Sequence, residues 1–287
     1  MPRKKTLFLL LIGTGCLVSC EKPPVEEETR GSTIETEWVL DGFESPESVL
    51  STGDGNTFFV SNVVGEGRAK DGLGYISVIS RDGTLIEKTW VSGLDAPKGM
   101  IISDGYLFVS DIDHLVKIDI ARREITDRIP IEGASFLNDV TKSEDGILVS
   151  DSGGAKIYNF IDGTVSVWFQ DDSLEGVNGL TAQADRLLIT TMAKGELLSL
   201  DWKTKELTVI ATGMKNADGI EQHRDGSFIV SSWPGKLYRV APDGTYSVLL
   251  DTEADEIYMN DITLVDDTII APNWRPGTVR AITFPQP

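Results

Sequence analysis

Short apolar runs separated by polar turns recur along the chain from about residue 34 to its end. The runs are rich in Val, Ile, Phe and Tyr, and turns of the Asp-Gly, Gly-Gly or Pro-Gly type separate them. No window keeps the helical period for three turns, so the runs are predicted to be β-strands. The pattern therefore predicts an all-β domain.

Six segments of the chain align with one another at intervals of about 40 residues. They are SPESVLST, APKGMIIS, FLNDVTKS, GVNGLTAQ, NADGIEQH and YMNDITLV. Each is followed by a second run such as ILVSD, a third such as KLYRV and, in most repeats, a fourth such as YSVLLDT. Four antiparallel strands per repeat are typical of a propeller blade, so we predict a six-bladed β-propeller. A seven-bladed ring with one degenerate blade and an open β-solenoid are the alternatives.

The last repeat, which starts near Asn260, is too short to contain a fourth strand. Residues 36–43, TEWVLDGF, resemble the fourth strands of the other repeats and would complete this blade. Closing the ring in this way removes an exposed sheet edge. The first interval is longer because it contains a glycine-rich insertion, VVGEGRAKDGLG. One propeller domain is thus predicted over residues 34–287.

The first 20 residues have the pattern of a secretory signal, with basic MPRKK followed by an apolar stretch. Their last four residues, LVSC, resemble the lipobox of bacterial lipoproteins, which predicts lipidation of Cys20. Cleavage elsewhere, or retention as a membrane anchor, is the alternative. Residues 21–33 are acidic and proline-rich, which predicts a flexible tether. We expect a protein of the bacterial cell envelope, lipid-anchored and either periplasmic or on the cell surface.

Composition narrows the classes of function. The sequence has 45 acidic and 26 basic residues and a formal net charge of −19, which disfavours nucleic acid as a partner. Both cysteines, Cys16 and Cys20, fall within the predicted signal, so the mature chain lacks disulfides and thiolate sites. A serine triad is disfavoured because no Gly-x-Ser-x-Gly occurs and only two histidines exist. We expect a monomer with a small-molecule substrate and no membrane contact beyond the lipid.

The third residue of each aligned segment lies just ahead of the strand that lines the central channel. These residues are predicted to form a ring at one mouth of the channel, hereafter the mouth ring. Its members are Glu47, Lys98, Asn138, Asn178, Asp218 and Asn260. For Asn260, and for Asp111 and Asp151 at the ends of second strands, we expect side chains that satisfy turn amides.

The loops that follow the second strands return to the same mouth. They carry Trp233 and Trp274, which either cover blade ends or contact substrate by flanking a sugar-like ligand. His114 is equally compatible with a surface or a site position. His223 lies in the turn QHRDG at the opposite face, where we expect exposure to solvent.

Two carboxylates and two amides of the mouth ring, from Glu47, Asp218, Asn138 and Asn178, would converge on a narrow channel. The carboxylates repel each other unless something positive lies between them. Oxygen ligands favour a hard divalent cation, so we expect Ca²⁺ first, with Mg²⁺, Mn²⁺ or Zn²⁺ as alternatives.

As a set, these motifs are similar to those of the senescence marker protein, gluconolactonase and luciferin-regenerating-enzyme family of six-bladed propellers. The resemblance implies that Glu47 in PESV, Asn178 in VNGL and Asp218 in ADGI bind the metal. It also implies that Asn138 in LNDV contacts substrate. The activity implied is divalent-metal-dependent hydrolysis of a lactone or sugar-derived cyclic ester, with Asp218 as general base.

The sequence departs from the family pattern at two positions. Phe136 stands where the family often has an arginine, two residues before the substrate asparagine. Lys98 occupies the ring position next to Glu47, where it could replace the cation by pairing with Glu47 or could bind an anionic substrate. The competing hypothesis is a non-catalytic propeller that binds a glycan, peptide or partner protein at the envelope.

Overall fold

The computed structural model describes residues 34–284, and nearly all regular structure in this range is β-strand. Two short 3₁₀ helices, Asp172–Leu174 and Glu253–Asp255, are the exceptions. Within these residues no helix has the length and apolar character that crossing a membrane requires. The predicted signal peptide and tether, residues 1–20 and 21–33, lie outside the described residues.

Twenty-five strands form six antiparallel sheets, as predicted for a six-bladed propeller. The first strand of the described residues is β1 (Glu35–Asp41). Blade 1 contains β2 (Pro46–Ser51), β3 (Thr57–Asn62), β4 (Gly74–Ser80) and β5 (Leu85–Leu94). Blade 2 contains β6 (Pro97–Ser103), β7 (Tyr106–Asp111), β8 (His114–Asp119) and β9 (Glu124–Pro130). Blade 3 contains β10 (Leu137–Lys142), β11 (Ile147–Asp151), β12 (Lys156–Ile161) and β13 (Thr164–Gln170).

The remaining three blades repeat this order. Blade 4 contains β14 (Val177–Ala182), β15 (Arg186–Thr191), β16 (Glu196–Asp201) and β17 (Leu207–Thr212). Blade 5 contains β18 (Ala217–Gln222), β19 (Phe228–Ser232), β20 (Lys236–Val240) and β21 (Tyr246–Asp251). Blade 6 contains β22 (Tyr258–Met259), β23 (Thr263–Val265), β24 (Thr268–Arg275) and β25 (Thr278–Thr283).

The predicted ring closure is confirmed, because β1 pairs antiparallel with β25 and supplies the outer strand of blade 6. The innermost strand of that blade is interrupted between Met259 and Thr263, where β22 ends and β23 begins. Pro272 lies in the facing part of β24, and its carbonyl accepts from the backbone N–H of Asn260 at 3.2 Å.

The hydrophobic core lies between the faces of neighbouring blades. Second strands such as β11 and β19 are buried along their whole length, whereas the outer strand β13 exposes most of its residues. Burying one large apolar side chain contributes about 1.5–3 kcal/mol, and every blade interface contains several of them. Packing between blades therefore fixes how the innermost strands are oriented around the channel.

A β-bulge interrupts the innermost strand of blades 1 to 5 at the mouth ring. In blade 3, Leu137 pairs with Asp151 and Val140 pairs with Val149. Two residues of β10, Asn138 and Asp139, therefore face the single residue of β11 that remains between those pairs. A bulge of this kind redirects side chains out of the regular alternation.

Candidate functional site

A hydroxyl residue of the second strand stabilises the bulge in most blades. The backbone N–H of Asp139 donates to Ser150 Oγ at 2.8 Å, and this Oγ donates to the carbonyl of Asn178 in the next blade at 2.7 Å. Thr190 makes the same two contacts, with the N–H of Gly179 at 2.8 Å and with the carbonyl of Asp218. The hydroxyl thus connects the bulge of one blade to the ring residue of the next.

Glu47 and Asp218 lie at the mouth with their carboxylates buried, at 7% and 5% exposure. Glu47 Oε2 and Asp218 Oδ1 are inaccessible to solvent and accept no hydrogen bond. The amides of Asn138 and Asn178 are also buried and make no side-chain hydrogen bond within residues 34–284. Buried polar atoms without partners are uncommon in native proteins, which marks this part of the ring as a place for a ligand.

Asn260 behaves differently from these four residues. Its amide donates to the carbonyl of Pro46 in the neighbouring blade 1 at 3.2 Å, and not to its own turn as the sequence predicted. Asp111 accepts from the backbone N–H groups of Asp95 and Ala96, at 2.9 and 2.6 Å. Asp151 does the same for the loop that precedes β10. Asp111 and Asp151 thus have the role that the sequence predicted, while Asn260 is satisfied by a contact between blades.

Burial raises the pKa of Glu47 well above its usual range, the charge of Lys98 lowers it, and the charge of Asp218 raises it further. Burial and the charge of Asp261 raise the pKa of Asp218 in the same direction. Lys98 affects Glu47 but makes no contribution to the pKa of Asp218. A positive ligand near Asp218 would therefore relieve an electrostatic cost that the protein does not compensate.

Three further carboxylates line the channel next to the mouth ring, those of Asp139, Glu221 and Asp261. The sequence pattern did not predict them as site residues. Asp139 accepts from the N–H of Leu180 at 2.6 Å, and Asp261 accepts from the hydroxyl of Ser48 at 2.7 Å. Burial raises the pKa of Asp261 to about 6, and burial together with the charge of Asp261 raises that of Glu221 to about 8. Asp139 and Asp261 directly follow the ring asparagines in LNDV and MNDI, and this Asn-Asp pattern is the sequence signal that could have identified them.

Lys98 does not form an ion pair with Glu47 among the described residues, so the pairing suggested by the sequence is not observed. Its ammonium donates to the carbonyl of Ala96 at 2.9 Å and to that of Gly67 at 3.3 Å. It also lies 4.5 Å from the centroid of the Phe136 ring. The two hydrogen bonds use two of the three donors of the lysine, while its charge still acts on Glu47 from a distance.

The two rim tryptophans contact each other rather than facing each other across a slot. Their ring centroids lie 6.2 Å apart and their planes are nearly perpendicular, at 88°. Trp233 also packs edge-on against Tyr258, and Trp274 packs on the cluster that contains Val63 and Ile112. They form one continuous aromatic wall at the mouth, and their predicted contact with substrate stays a prediction.

The two histidines lie outside the mouth ring. His114 is one-third exposed and its Nδ1 lies 2.7 Å from Asp113 Oδ1. The expected exposure of His223 is wrong, because this side chain is buried between Asp225 and Asp267, each 2.9 Å from one ring nitrogen. The turn that carries His223 is covered by the closing blade, and Phe284 packs edge-on against the imidazole.

Two larger grooves lie between blades at the opposite face. One, of about 580 Å³, is lined by Trp168 and Trp202, and the other, of about 690 Å³, by Phe108 and Phe160. Neither contains a residue of the mouth ring. The unpartnered carboxylates therefore point to the mouth, and not to these two grooves, as the candidate site.

The donor set at the mouth fits a hard divalent cation. Glu47, Asp218 and Asn178 supply carboxylate and amide oxygens, the ligands that Ca²⁺, Mg²⁺ and Mn²⁺ prefer. Within residues 34–284 no group of three or more His, Cys, Asp and Glu residues is arranged to hold a metal. A site here would thus combine two carboxylates with an amide and take its remaining ligands from water or substrate.

No protein-family model matches the sequence, and no curated protein matches it. Similar solved structures include a gluconolactonase from Xanthomonas campestris, with 16% identity, a TM-score of 0.66 and coverage of 94% of this chain and 100% of that one. A catalytically inactive virginiamycin B lyase from Staphylococcus aureus, solved with quinupristin, has 13% identity and a TM-score of 0.62, with coverage of 88% and 99%.

A chain of a nidogen/laminin complex is also similar, with 15% identity, a TM-score of 0.61 and coverage of 74% of this chain and 86% of that one. Identities in this range show the fold alone. The expected gluconolactonase-type propeller is thereby confirmed as a fold. Because a gluconolactonase, a virginiamycin B lyase and a chain of a nidogen/laminin complex share this fold, function has to be argued from the site.

Proposed function

We propose that this chain is a divalent-metal-dependent hydrolase of a lactone or a related cyclic ester. The observation that carries this proposal is the pair of buried carboxylate oxygens, Glu47 Oε2 and Asp218 Oδ1, that have no partner in the protein. Burying a carboxylate without a compensating cation costs stability, and carboxylates buried in this way cluster at functional sites. The likeness in fold to a gluconolactonase supports the choice of lactones as the substrate class.

Glu47, Asn178 and Asp218 would hold the ion, and Ca²⁺ suits a mouth lined by oxygen donors that water can complete. When bound, the ion would polarise the ester carbonyl as a Lewis acid and lower the pKa of a water molecule. The buried ring residues exclude bulk solvent from the same place. The lysine of the ring, Lys98, is held by backbone carbonyls and does not compete for this position.

Asp218 acts as general base in this proposal. Its carboxylate accepts a proton from water while the water oxygen bonds to the carbonyl carbon of the lactone. The ring C–O bond then breaks, the proton passes to the released oxygen, and the product is a hydroxy acid. The raised pKa of Asp218, which burial and Asp261 cause, brings its basicity closer to neutral pH. The amide of Asn138 orients the substrate from blade 3.

Elemental analysis of purified protein, combined with hydrolysis assays, tests the proposal. We expect one divalent ion per chain, and lactone hydrolysis that a chelator stops and added Ca²⁺ restores. Asp218→Ala should lower kcat by roughly 10²-fold or more, since general base catalysis contributes on that order. His114→Gln is the control and should leave the rate unchanged. Equal, metal-independent rates in the wild type and Asp218→Ala would contradict the proposal and favour a non-catalytic binding protein.

We further propose that the protein is a cell-envelope lipoprotein carrying its acyl chains on Cys20, as the signal pattern indicates. Cys20→Ala should prevent lipidation and release the protein from the membrane fraction. An unchanged membrane association in that variant would argue for a retained hydrophobic segment instead. The expected monomeric state can be checked on the released form by light scattering.

A further inference from the structure

One position directly follows β3, β7, β11, β15 and β19, lies inside β24 in blade 6, and is equivalent in the six repeats. It is apolar in five of them, at Val63, Ile112, Met192, Trp233 and Trp274, and is Ser152 in blade 3. Val63 and Ile112 are buried, while the other three apolar side chains are partly exposed at the mouth. We call these five residues, together with Phe136 of blade 3, the apolar collar.

Backbone hydrogen bonds place the collar directly beside the mouth ring. The N–H of Met192 donates to the carbonyl of Gly176 at 2.8 Å, and the N–H of Trp233 donates to that of Asn216 at 3.1 Å. Each acceptor precedes a ring residue by two positions. The equivalent bonds in blades 1 and 3 are Val63 to Ser45 and Ser152 to Phe136. The four blades with these bonds are those that carry the unpartnered ring side chains.

Phe136 takes the place of an apolar collar residue in blade 3, and the nearby cations bind to it. Arg68 lies 4.1 Å from its ring centroid and donates to the carbonyl of Ser135 at 3.1 Å. Lys98 lies 4.5 Å from the same centroid. Both cations are therefore held against the protein, with two of the three lysine donors and one arginine donor already used.

Other polar side chains around the mouth are also engaged with the protein. Lys70 pairs with Asp113 at 2.5 Å, and Lys194 donates to the carbonyl of Asp172 at 2.8 Å. The amide of Asn216 donates to the carbonyl of Trp233 at 3.0 Å. The unpartnered side chains of the mouth ring are taken by the ion and the ester group in this arrangement, so a substrate with several hydroxyl groups would lose hydration against the collar and gain few matching partners.

We propose, resting on the proposed function, that the preferred substrate is an uncharged lactone with an apolar, aromatic substituent, and not a polyhydroxylated sugar lactone. The ester group lies against the mouth ring, and the substituent packs on Trp233, Met192 and Phe136 of the collar. An anionic substrate is disfavoured because five carboxylates line the channel against one buried lysine. The collar thereby determines specificity, while the ring performs the reaction.

Two probe lactones test the specificity, with Ca²⁺ present throughout. We expect kcat/KM for dihydrocoumarin to exceed that for D-glucono-1,5-lactone by at least about tenfold, the scale on which an apolar pocket discriminates. Trp233→Gln should lower kcat/KM for dihydrocoumarin by roughly tenfold and change that for gluconolactone by less than about twofold. Trp168→Gln, which alters a half-buried tryptophan far from the mouth, is the matched control and should change neither. Met192→Gln replaces Trp233→Gln if that variant does not fold.

Equilibrium dialysis of the lactam analogue 3,4-dihydroquinolin-2-one separates binding from hydrolysis. If neither lactone is hydrolysed but the lactam binds to the wild type and not to Trp233→Gln, the hydrolase proposal fails and the collar proposal stands. If gluconolactone is the better substrate, or Trp233→Gln lowers both rates equally, the collar proposal is overturned and the hydrolase stands. If no lactone is hydrolysed and the lactam does not bind, the collar proposal is overturned as well.

Discussion

Replacing Asp218 by asparagine should stabilise the metal-free protein and remove its stabilisation by Ca²⁺. Asp218 Oδ1 is buried and accepts no hydrogen bond, and leaving a buried acceptor unsatisfied costs about 1–3 kcal/mol. The substitution removes the charge but leaves an amide to be satisfied, so a gain of about 1 kcal/mol is expected. For a domain of this size that gain raises Tm by about 2–4 °C.

Stabilisation by bound Ca²⁺, in contrast, should require the carboxylate of Asp218. At a Ca²⁺ concentration 100 times its Kd, binding stabilises the folded wild type by about 2.7 kcal/mol. The corresponding increase in Tm is about 5–10 °C. Asp218→Asn lacks one of two charged ligands, so it should show little of this increase.

Differential scanning calorimetry in chelator and in excess Ca²⁺ measures both effects. Asp151→Asn is the matched control, because Asp151 is buried and accepts from the backbone N–H groups of Ser135 and Phe136. That variant should lose stability under both conditions and keep the full increase with Ca²⁺. A lower Tm for Asp218→Asn in chelator would show that the carboxylate has a structural partner. A full Ca²⁺ response in the same variant would show that Asp218 is not a ligand.

Three further outcomes are expected. Glu221→Gln should stabilise the protein more at pH 8 than at pH 5. Burial raises the pKa of Glu221 in the folded state to about 8, so the wild type loses stability as the pH rises from the pKa of this glutamate in the unfolded chain to about 8. Urea unfolding of both proteins across this pH range measures the difference. Thr190→Val should lower the free energy of unfolding by about 1–3 kcal/mol and Thr190→Ser by much less, because only valine leaves the N–H of Gly179 and the carbonyl of Asp218 unpaired. Equal losses in the two variants would refute the role of this hydroxyl in connecting the blades. Gly219→Ala should destabilise the protein because the added Cβ would overlap Oδ1 of the Asp261 carboxylate. Gly67→Ala should be neutral because the nearest atom is 4.0 Å away, and thermal unfolding of both variants decides this.

Much of the fold was predictable because it depends on local pattern. Strand, turn and repeat signals recur six times, so weak local preferences reinforce one another. The short last repeat predicted closure by an N-terminal strand, and β1 occupies that position beside β25. The order of blades around the axis then follows from the order of repeats, and it brings Glu47, Asn178 and Asp218 to one mouth.

The positions of individual side chains depend on contacts between distant repeats, which no single repeat contains. The sequence pattern left open whether Lys98 neutralises Glu47, and only the folded chain shows that the carbonyls of Ala96 and Gly67 and the ring of Phe136 are its partners. His223 shows the same limit, since its turn signal predicted exposure and the closing blade buries it.

The sequence by itself determined the six-bladed all-β ring and the set of oxygen-bearing residues at one mouth, because both follow from periodic local pattern. Tertiary structure alone decided which of those side chains are satisfied by the protein and which are left for a ligand. Asn260 and Glu47 occupy equivalent repeat positions, yet one donates to a neighbouring carbonyl and the other keeps a buried oxygen without a partner. The physical reason is that hydrogen bonding at the channel is settled between blades, where the identities of both neighbours matter at once.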